Sequence, residues 1–298
     1  MISQNQIPGL ISKYKPMKTK QLILTLVLIH GCTIAVMATE PGTPATPESA
    51  VQGATASATT GSKLNNPFFP FLYGKLDGGA EKLKELGFTP YEMVKEHVDF
   101  KHTPAFALPE WWVKQQTKTG RPGLISVCFI YGESKGAVDE AVTVKLLQDA
   151  ADKLKGSGVE MAIYPHVNTY IETAEQALAL ARKVDRNNVG VTLNLFHELK
   201  VGNCRRLPEV LANVKDHLKY VVINGTNQPK DPDVPCYPAI LPLGEGTFDM
   251  VGFLKEVKKI GYDGPIGQMC WGLKDPSIDY LTKSAAAWKE YKAKVEKE

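Results

Sequence analysis

The stretch GVEMAIYPHVNTYIETAEQALALARKVDRNNVGVTLNLFH, residues 158–197, contains the pattern that decides the fold. It includes two apolar runs, residues 159–164 and 189–195, which have the length and composition of buried strands. Between them, Thr173 and Gln176 form a capping box that begins a helix with apolar residues on one face. Two strands joined by such a helix predict a right-handed parallel βαβ unit.

The same alternation continues on both sides of this unit. Further strands are predicted at residues 68–73, 124–131, 220–223 and 266–270, and further helices at 80–87, 138–155, 208–216, 248–260 and from about 275. Because no GxGxxG turn indicates a dinucleotide-binding sheet, the pattern favours an α/β fold of the (β/α) TIM barrel type. The segment between residues 73 and 124 leaves room for only a short strand at 97–100 and a helix at 109–117. We therefore expect a barrel that is trimmed or irregular in its first third.

The beginning of the chain has the pattern of an export signal. Residues 22–38 are uncharged, follow a basic flank that includes Lys20, and end in small residues before a polar break. Residues 1–38 are therefore predicted to be a signal peptide, with Met17 as an alternative start. We expect a periplasmic or extracellular protein. Lipid attachment at Cys32 fits the flanking residues less well.

Composition restricts the partners. Hydrophobic residues make up 43% of the chain and charged residues 22%, which is typical of a globular protein. The net charge of +3 comes from lysines in the predicted signal peptide, and the near-neutral remainder disfavours nucleic acid. Residues 39–64, rich in Pro, Ser, Thr and Ala, predict a linker before the barrel at 65–298, with no membrane association after signal cleavage. Cys204 and Cys236 lie in predicted loops and can pair in an oxidising compartment, although their spacing does not require it.

Polar side chains follow the carboxyl ends of the predicted strands, where barrels of this type place their active sites. They are Tyr131, Tyr164, His166, Asn194, His197, Asn224, Gln268 and Trp271, with Lys200 and Glu245 in the connecting segments. Side chains that both donate and accept hydrogen bonds suit a polyhydroxylated ligand, although strand ends are often polar for solvation alone. The predicted partner is a small molecule with several hydroxyl groups.

Several segments together resemble the xylose-isomerase-like TIM barrels, which include the sugar phosphate isomerases/epimerases and the family 2 AP endonucleases. They are residues 158–197, quoted above, YVVING (220–225), LPLGEGTFD (241–249) and KKIGYDGPIGQMCWG (258–272). The resemblance covers roughly residues 66–295 and is greatest to exported bacterial members. It implies a TIM barrel that acts on sugars.

The resemblance also identifies the positions of a metal site. In metal-dependent members, a Glu, an Asp, a His and a Glu at successive strand ends hold one divalent ion. The corresponding residues here are Tyr164, Asn194, Asn224 and Gln268. All three carboxylates are absent, and amides with a phenol offer little charge compensation to such a cation. We therefore expect no cofactor, unless a divalent metal site is rebuilt around His166 and His197.

Four residues are candidates for the chemistry. Imidazole titrates near neutral pH, so His166 and His197 are the candidate acid–base groups, although either can be a structural hydrogen-bonding residue instead. Lys200 can stabilise a developing enolate, with a solvated surface lysine as the alternative. Glu245, between two glycines, is a candidate base or hydroxyl ligand in a loop that needs unusual backbone angles.

Several functions are consistent with this set. We expect an isomerase- or epimerase-like enzyme that moves a proton next to the carbonyl of a sugar or keto sugar, without the metal of the family. A keto-glycoside lyase or hydratase begins with the same proton removal. A non-catalytic exported carbohydrate-binding barrel is the alternative from another class. A DNA-repair endonuclease is disfavoured by the charge balance and the lost ligands.

Overall fold

The computed structural model describes residues 64–71, 79–89, 91–99, 106–130, 138–231, 234–236, 238–271 and 278–297. The predicted signal peptide (1–38), residues 39–63 of the predicted linker, and Tyr131 lie outside the described residues. Those predictions therefore stay predictions.

Strands and helices alternate along the described chain. The strands are β1 (Phe68–Phe71), β2 (Glu92–Asp99), β3 (Gly123–Ile130), β4 (Val159–Ile163), β5 (Val189–Asn194), β6 (Leu218–Ile223) and β7 (Ile266–Met269). The helices are α1 (Gly79–Glu85), α2 (Glu110–Thr119), α3 (Glu140–Lys153), α4 (Ala174–Val184), α5 (Leu195–Lys200), α6 (Leu207–Val214), α7 (Met250–Lys259) and α8 (Ile278–Glu296). None of the helices in the described part of the chain is both long and apolar enough to cross a membrane.

The strands form one curled parallel sheet in the order β1-β7-β6-β5-β4-β3-β2. Its two edges, β1 and β2, approach each other: the Thr89 amide donates to the Phe68 carbonyl at 2.7 Å, and the rings of Phe69 and Tyr91 stack 5.5 Å apart. The predicted fold class is therefore confirmed as a partial TIM barrel with seven strands in the described residues.

Two differences from the sequence prediction lie next to the candidate site. The strand expected only at 97–100 begins earlier and pairs with β3 along its whole length, Glu92–Asp99. Helix α5 follows β5 without a loop and was not predicted. Both differences place additional side chains near the carboxyl ends of β4 and β5.

The inner face of the sheet has its own small core. It consists of Phe69, Leu124, Ala162, Tyr164, Tyr220, Val222 and Met269. A Cβ at position 267 of β7 would lie 1.9 Å from the Tyr220 hydroxyl, so glycine is required there for the Tyr220 ring to enter the barrel. The larger apolar cluster lies between the outer face and the helices. The interior is therefore packed, and a ligand has access only at the ends of the strands.

A disulfide joins Cys204 to Cys236, with their Cα atoms 6.5 Å apart. It connects the segment after α5 to the long loop between β6 and α7. The pairing that the sequence left open is thus present in the structure.

Candidate functional site

Tyr164 and Asn194 form the centre of a buried network at the ends of β4 and β5. Both side chains are fully buried, and the Asn194 Nδ2 group donates a hydrogen bond to the Tyr164 hydroxyl. The Asn194 Oδ1 atom accepts from the His197 amide at 3.3 Å and so caps the N-terminus of α5. Asn194 thereby links the barrel interior to the helix that carries His197.

The rings of His166 and His197 lie against each other in a tilted arrangement. Their ring centres are 4.1 Å apart with an angle of 48° between the planes. His197 is only 2% exposed, whereas His166 is half-buried. The loop that carries His166 is fixed because its amide donates to the Ile171 carbonyl at 2.8 Å. The structure therefore brings together the two predicted acid–base candidates.

The backbone of Val167 bonds to both imidazoles, and the two bonds assign a different tautomer to each ring. Its carbonyl lies 2.8 Å from His166 Nδ1, and a carbonyl can only accept, so this Nδ1 carries a proton. Its amide donates to His197 Nδ1 at 3.4 Å, so that nitrogen carries a lone pair. In the neutral rings, His166 therefore has its lone pair on Nε2 and His197 has its proton on Nε2. One ring presents an acceptor and the other a donor.

Burial keeps both imidazoles neutral. It is the main cause that lowers the pKa of His197 to about 2, and the charges of His166 and Lys95 lower this pKa further. Burial also lowers the pKa of His166, partly offset by the bond to Val167. The His197 Nε2 atom is buried and has no hydrogen-bond partner among the described residues. A buried N–H group without a partner is costly, so this donor is available to an acceptor atom of a ligand.

Lys95 and His97 complete the group, and sequence reasoning missed them. The Lys95 Nζ atom lies 4.9 Å from the centre of the Tyr164 ring. Burial, then Lys95 and then His166 lower the pKa of His97. The signal in the sequence was the period-two spacing of Met93, Lys95 and His97 in β2, but the charged residues of EMVKEHVD concealed the strand.

Asn224 is brought to the same end of the barrel, whereas Gln268 faces outward. The Asn224 Nδ2 group donates to the carbonyls of Gly225 and Ala239 at 2.8 and 2.7 Å. The Gln268 Nε2 group donates to the Ser284 hydroxyl of α8 at 2.6 Å, on the helix side of β7. Gln268 is therefore not part of the group around the histidines.

The remaining predicted site residues are exposed or form ion pairs at the surface. Lys200 is exposed at the end of α5, and Trp271 is 61% exposed after β7. Glu245 lies 3.6 Å from the Lys283 ammonium of α8. Its neighbours Gly244 and Gly246 have φ angles of 90° and 93°, as the Gly-Glu-Gly sequence indicates.

The residues at the four positions that the resemblance assigns to metal ligands do not fit a divalent cation. The Tyr164 hydroxyl and the Asn194 amide bond to each other, the Asn224 amide donates to two carbonyls, and Gln268 faces α8. None of the four supplies an anionic oxygen, which such a cation prefers. Among the described residues, no group of three or more His, Cys, Asp or Glu side chains is arranged to hold a metal ion.

A cavity of about 780 Å³ lies at the opposite end of the sheet. Its lining includes Gly158, Glu160, Asp185 and Arg186, which lie near the amino ends of β4 and β5. Barrels of this type carry their active sites at the carboxyl ends of the strands, so the histidine group is the candidate site.

Comparisons with known proteins agree with this fold. The chain is 29% identical over 119 residues to an uncharacterized protein of Methanocaldococcus jannaschii, covering 40% of this chain and 36% of that protein. It is 28% identical over 120 residues to a ketose 3-epimerase of Arthrobacter globiformis, covering 39% and 36%. The matched part thus spans about a third of each curated relative.

Solved structures show the same architecture. The structure of a D-tagatose 3-epimerase-like protein aligns with a TM-score of 0.51 at 17% identity, over 78% of this chain and 98% of that one. A D-allulose 3-epimerase from Methylomonas sp. aligns with a TM-score of 0.51 at 15% identity, over 78% and 98%. At these identities the likeness shows the fold alone.

The family described as "Xylose isomerase-like TIM barrel" matches residues 123–291, more than half of the chain. This match covers β3 to β7 and with them both histidines and the four former ligand positions. The chain therefore belongs to the xylose isomerase-like TIM barrel family.

Proposed function

We propose that the protein is a sugar isomerase- or epimerase-like enzyme that moves a proton next to a carbonyl without a divalent metal. The observation that carries this proposal is the histidine pair, whose rings are 4.1 Å apart and hold complementary tautomers through Val167. Epimerase and isomerase chemistry at a carbonyl needs one group that accepts a proton and another that donates a hydrogen bond or a proton.

His166 Nε2 is the base in this proposal. It takes the proton from the carbon next to the carbonyl, and the C–H electron pair moves to form an enediolate. The His197 Nε2–H group donates to the oxygen that becomes negative. Delivery of a solvent proton to the other face of the same carbon, with release of the His166 proton to solvent, gives the epimer. Return of the proton from His166 to the neighbouring carbon, with transfer of the hydroxyl proton to the oxygen that became negative, gives the isomer. Expulsion of a leaving group from the next carbon would instead give the lyase reaction.

Deuterium exchange tests this chemistry. The purified protein is incubated in D₂O with a panel of ketoses and 3-keto-glycosides, and NMR and mass spectrometry follow deuterium at the carbon next to the carbonyl. We expect incorporation into at least one compound and its loss in His166→Gln. His217→Gln is the matched control because His217 lies before β6, at the other end of the sheet.

A non-catalytic carbohydrate-binding barrel is the second candidate, favoured by the bonding of the former ligand positions to one another and to the backbone. Absence of exchange with every compound, together with stabilisation of the protein by one of them in a thermal-shift assay, would favour this candidate over the enzyme.

The absence of a bound metal is part of the proposal. We expect elemental analysis of the purified protein to find no stoichiometric divalent ion. One zinc, manganese or cobalt ion per chain that is lost in His166→Gln or His197→Gln would instead show a site rebuilt around the histidines.

We also propose that the protein is exported. The Cys204–Cys236 disulfide supports this location because such bonds persist mainly in oxidising compartments. N-terminal sequencing of the native protein should find a terminus near Thr39, and an intact Met1 or Met17 in a cytosolic fraction would contradict export.

A further inference from the structure

Glu198 is a buried acidic residue next to His197, and the proposed chemistry does not use it. It follows His197 directly in α5, and its side chain is fully buried. Both carboxyl oxygens accept hydrogen bonds: Oε1 from the Ala174 amide at 2.6 Å and Oε2 from the Asn203 Nδ2 group at 2.7 Å. A carboxyl group is costly to bury, and bonds to both oxygens offset that cost. Glu198 therefore connects α5 to two neighbouring segments of the chain.

The bond to Ala174 joins α5 to the N-terminus of α4. Ala174 is the first residue of α4 and is fully buried. The first amides of a helix have no acceptor within the helix, so their acceptors must come from elsewhere. The Thr173 hydroxyl accepts from the Gln176 amide at 3.1 Å, and Glu198 accepts from the Ala174 amide. Glu198 thus fixes the position of α5 relative to the start of α4.

The loop between β4 and α4, residues 164–173, is attached to α5 at two points. Near its start, the Val167 amide donates to His197 Nδ1 at 3.4 Å. Immediately after its end, the Ala174 amide donates to Glu198. The two acceptors are consecutive residues of α5. The position of the β4–α4 loop relative to α5 therefore depends on both bonds.

The β4–α4 loop is braced by its own bonds but depends on α5 for its position. The Thr169 hydroxyl donates to the His166 carbonyl at 2.7 Å, and the His166 amide donates to the Ile171 carbonyl at 2.8 Å. The bond from Val167 to His197, at 3.4 Å, is longer than the usual range of about 2.7–3.2 Å, so a small displacement of the loop would break it. The second, shorter attachment at the other end of the loop opposes such a displacement.

We propose that Glu198 is a positioning residue for the histidine pair. By holding the start of α4 against α5, it keeps the backbone of Val167 in contact with both imidazoles and so maintains their opposite tautomers. One acceptor atom at the correct distance from the Ala174 amide is sufficient for this role. The inference rests on the proposed function for its effect on catalysis, whereas the tautomers can be observed without a substrate.

¹⁵N NMR of the histidine side chains in the purified protein tests this inference, because protonated and unprotonated imidazole nitrogens differ in chemical shift. Spectra are recorded at about pH 8, where both rings are neutral. His166→Gln and His197→Asn assign the signals. In the unaltered protein we expect the proton on Nδ1 of His166 and on Nε2 of His197.

Two variants break the bond from its two sides. Glu198→Asp is one methylene shorter and moves the carboxylate away from the Ala174 amide. Ala174→Pro removes that amide at the first helical position, where proline is tolerated, and Thr173 already has the extended backbone that a following proline favours. Glu198→Gln keeps the length and an acceptor atom. Glu209→Gln changes an exposed carboxylate of α6 and is the matched control.

We expect Glu198→Asp and Ala174→Pro to show mixed tautomers and to reduce deuterium exchange by about 10²-fold, the effect of a small misplacement of reacting groups. Glu198→Gln and Glu209→Gln should keep the opposite tautomers and the exchange. The inference is overturned if either breaking variant keeps the opposite tautomers, if Glu198→Gln loses them or does not fold, or if the unaltered protein lacks them. Where one breaking variant does not fold, the other decides. Failure of both to fold, with Glu198→Gln folded, would assign Glu198 to folding alone and overturn the inference.

This inference and the proposed function fail separately. Opposite tautomers that depend on Glu198, without deuterium exchange into any compound, would contradict the proposed function and leave this inference intact. Exchange that depends on His166 but not on Glu198, with the tautomers unchanged in the breaking variants, would overturn this inference and leave the proposed function intact.

Discussion

Two groups of polar side chains near the carboxyl ends of the strands differ in which of their atoms bond to the protein. At the positions that the resemblance assigns to metal ligands, the amide nitrogens of Asn194, Asn224 and Gln268 all donate to protein acceptors. The amide oxygens of Asn224 and Gln268 are buried without a partner among the described residues. In the histidine pair, Val167 binds one nitrogen of each ring and leaves the opposite nitrogen for other partners. The first group therefore uses its donors to hold neighbouring segments of the protein, and the second group presents imidazole nitrogens that can take part in proton transfer.

Replacement of His166 should have the largest effect. His166→Gln removes the proposed base and should reduce deuterium exchange by about 10²–10⁴-fold, the usual contribution of a proton-transfer group. In the unaltered protein, exchange should increase with pH and level off, because the base must be neutral. Burial lowers the pKa of His166, so the inflection should lie below 6.5.

A rate profile without an inflection below 6.5, or an unchanged rate in His166→Gln, would contradict this assignment. Measurement of exchange between pH 4.5 and 8 distinguishes these outcomes.

The stability of the protein should depend on pH through His197. Its pKa is lowered to about 2 in the folded protein and is about 6.5 in the unfolded chain. The unfolded chain therefore binds more protons between these values. The contribution of His197 to the free energy of unfolding is complete above pH 6.5 and is lost as the pH falls. Between pH 6.5 and 4.5 the loss should be on the order of 2 kcal/mol.

Urea unfolding at the two pH values measures this effect. His197→Asn keeps an acceptor near the Val167 amide but has no titrating ring, so its stability should fall less over the same range. An equal fall in both proteins would show that His197 does not cause the dependence.

Among the residues of the first group, Asn194 should contribute most to the stability of the fold. Asn194→Ala removes the cap of α5 and the donor to the buried Tyr164 hydroxyl, which should cost about 1–2 kcal/mol. Asn213→Ala is the control, since Asn213 is exposed and its side chain donates to the surface carboxylate of Glu175. Urea unfolding compares the two, and equal costs would show that the network is not important for stability.

Glu245 should have the smallest effect. Its pair with Lys283 is 3.6 Å long and exposed, so Glu245→Gln should change stability by less than about 1 kcal/mol. Its effect on exchange should be far smaller than that of His166→Gln. A comparable reduction of exchange in the two variants would make Glu245 the base.

Sequence patterns predicted most of the fold because β3 to β7 are apolar and the helices between them are amphipathic. The site was less predictable. Gln268 was placed in the pocket, but a one-residue change of register reverses the face of a short strand such as β7. The different tautomers of His166 and His197 depend on the Val167 backbone and have no sequence signal. Lys95 was missed because β2 lacks apolar alternation.

The charged residues of β2 also affect the edge of the sheet where β2 approaches β1. Where β1 and β2 approach, each strand has an edge that pairs with no other strand among the described residues. Pro70 in β1 has no amide proton, and β2 carries Glu92, Lys95 and Glu96. Proline and charged residues are the usual means by which exposed strand edges avoid aggregation. The charges that made β2 difficult to recognise as a strand are thus also the type of side chain that opposes pairing at the edge of a sheet.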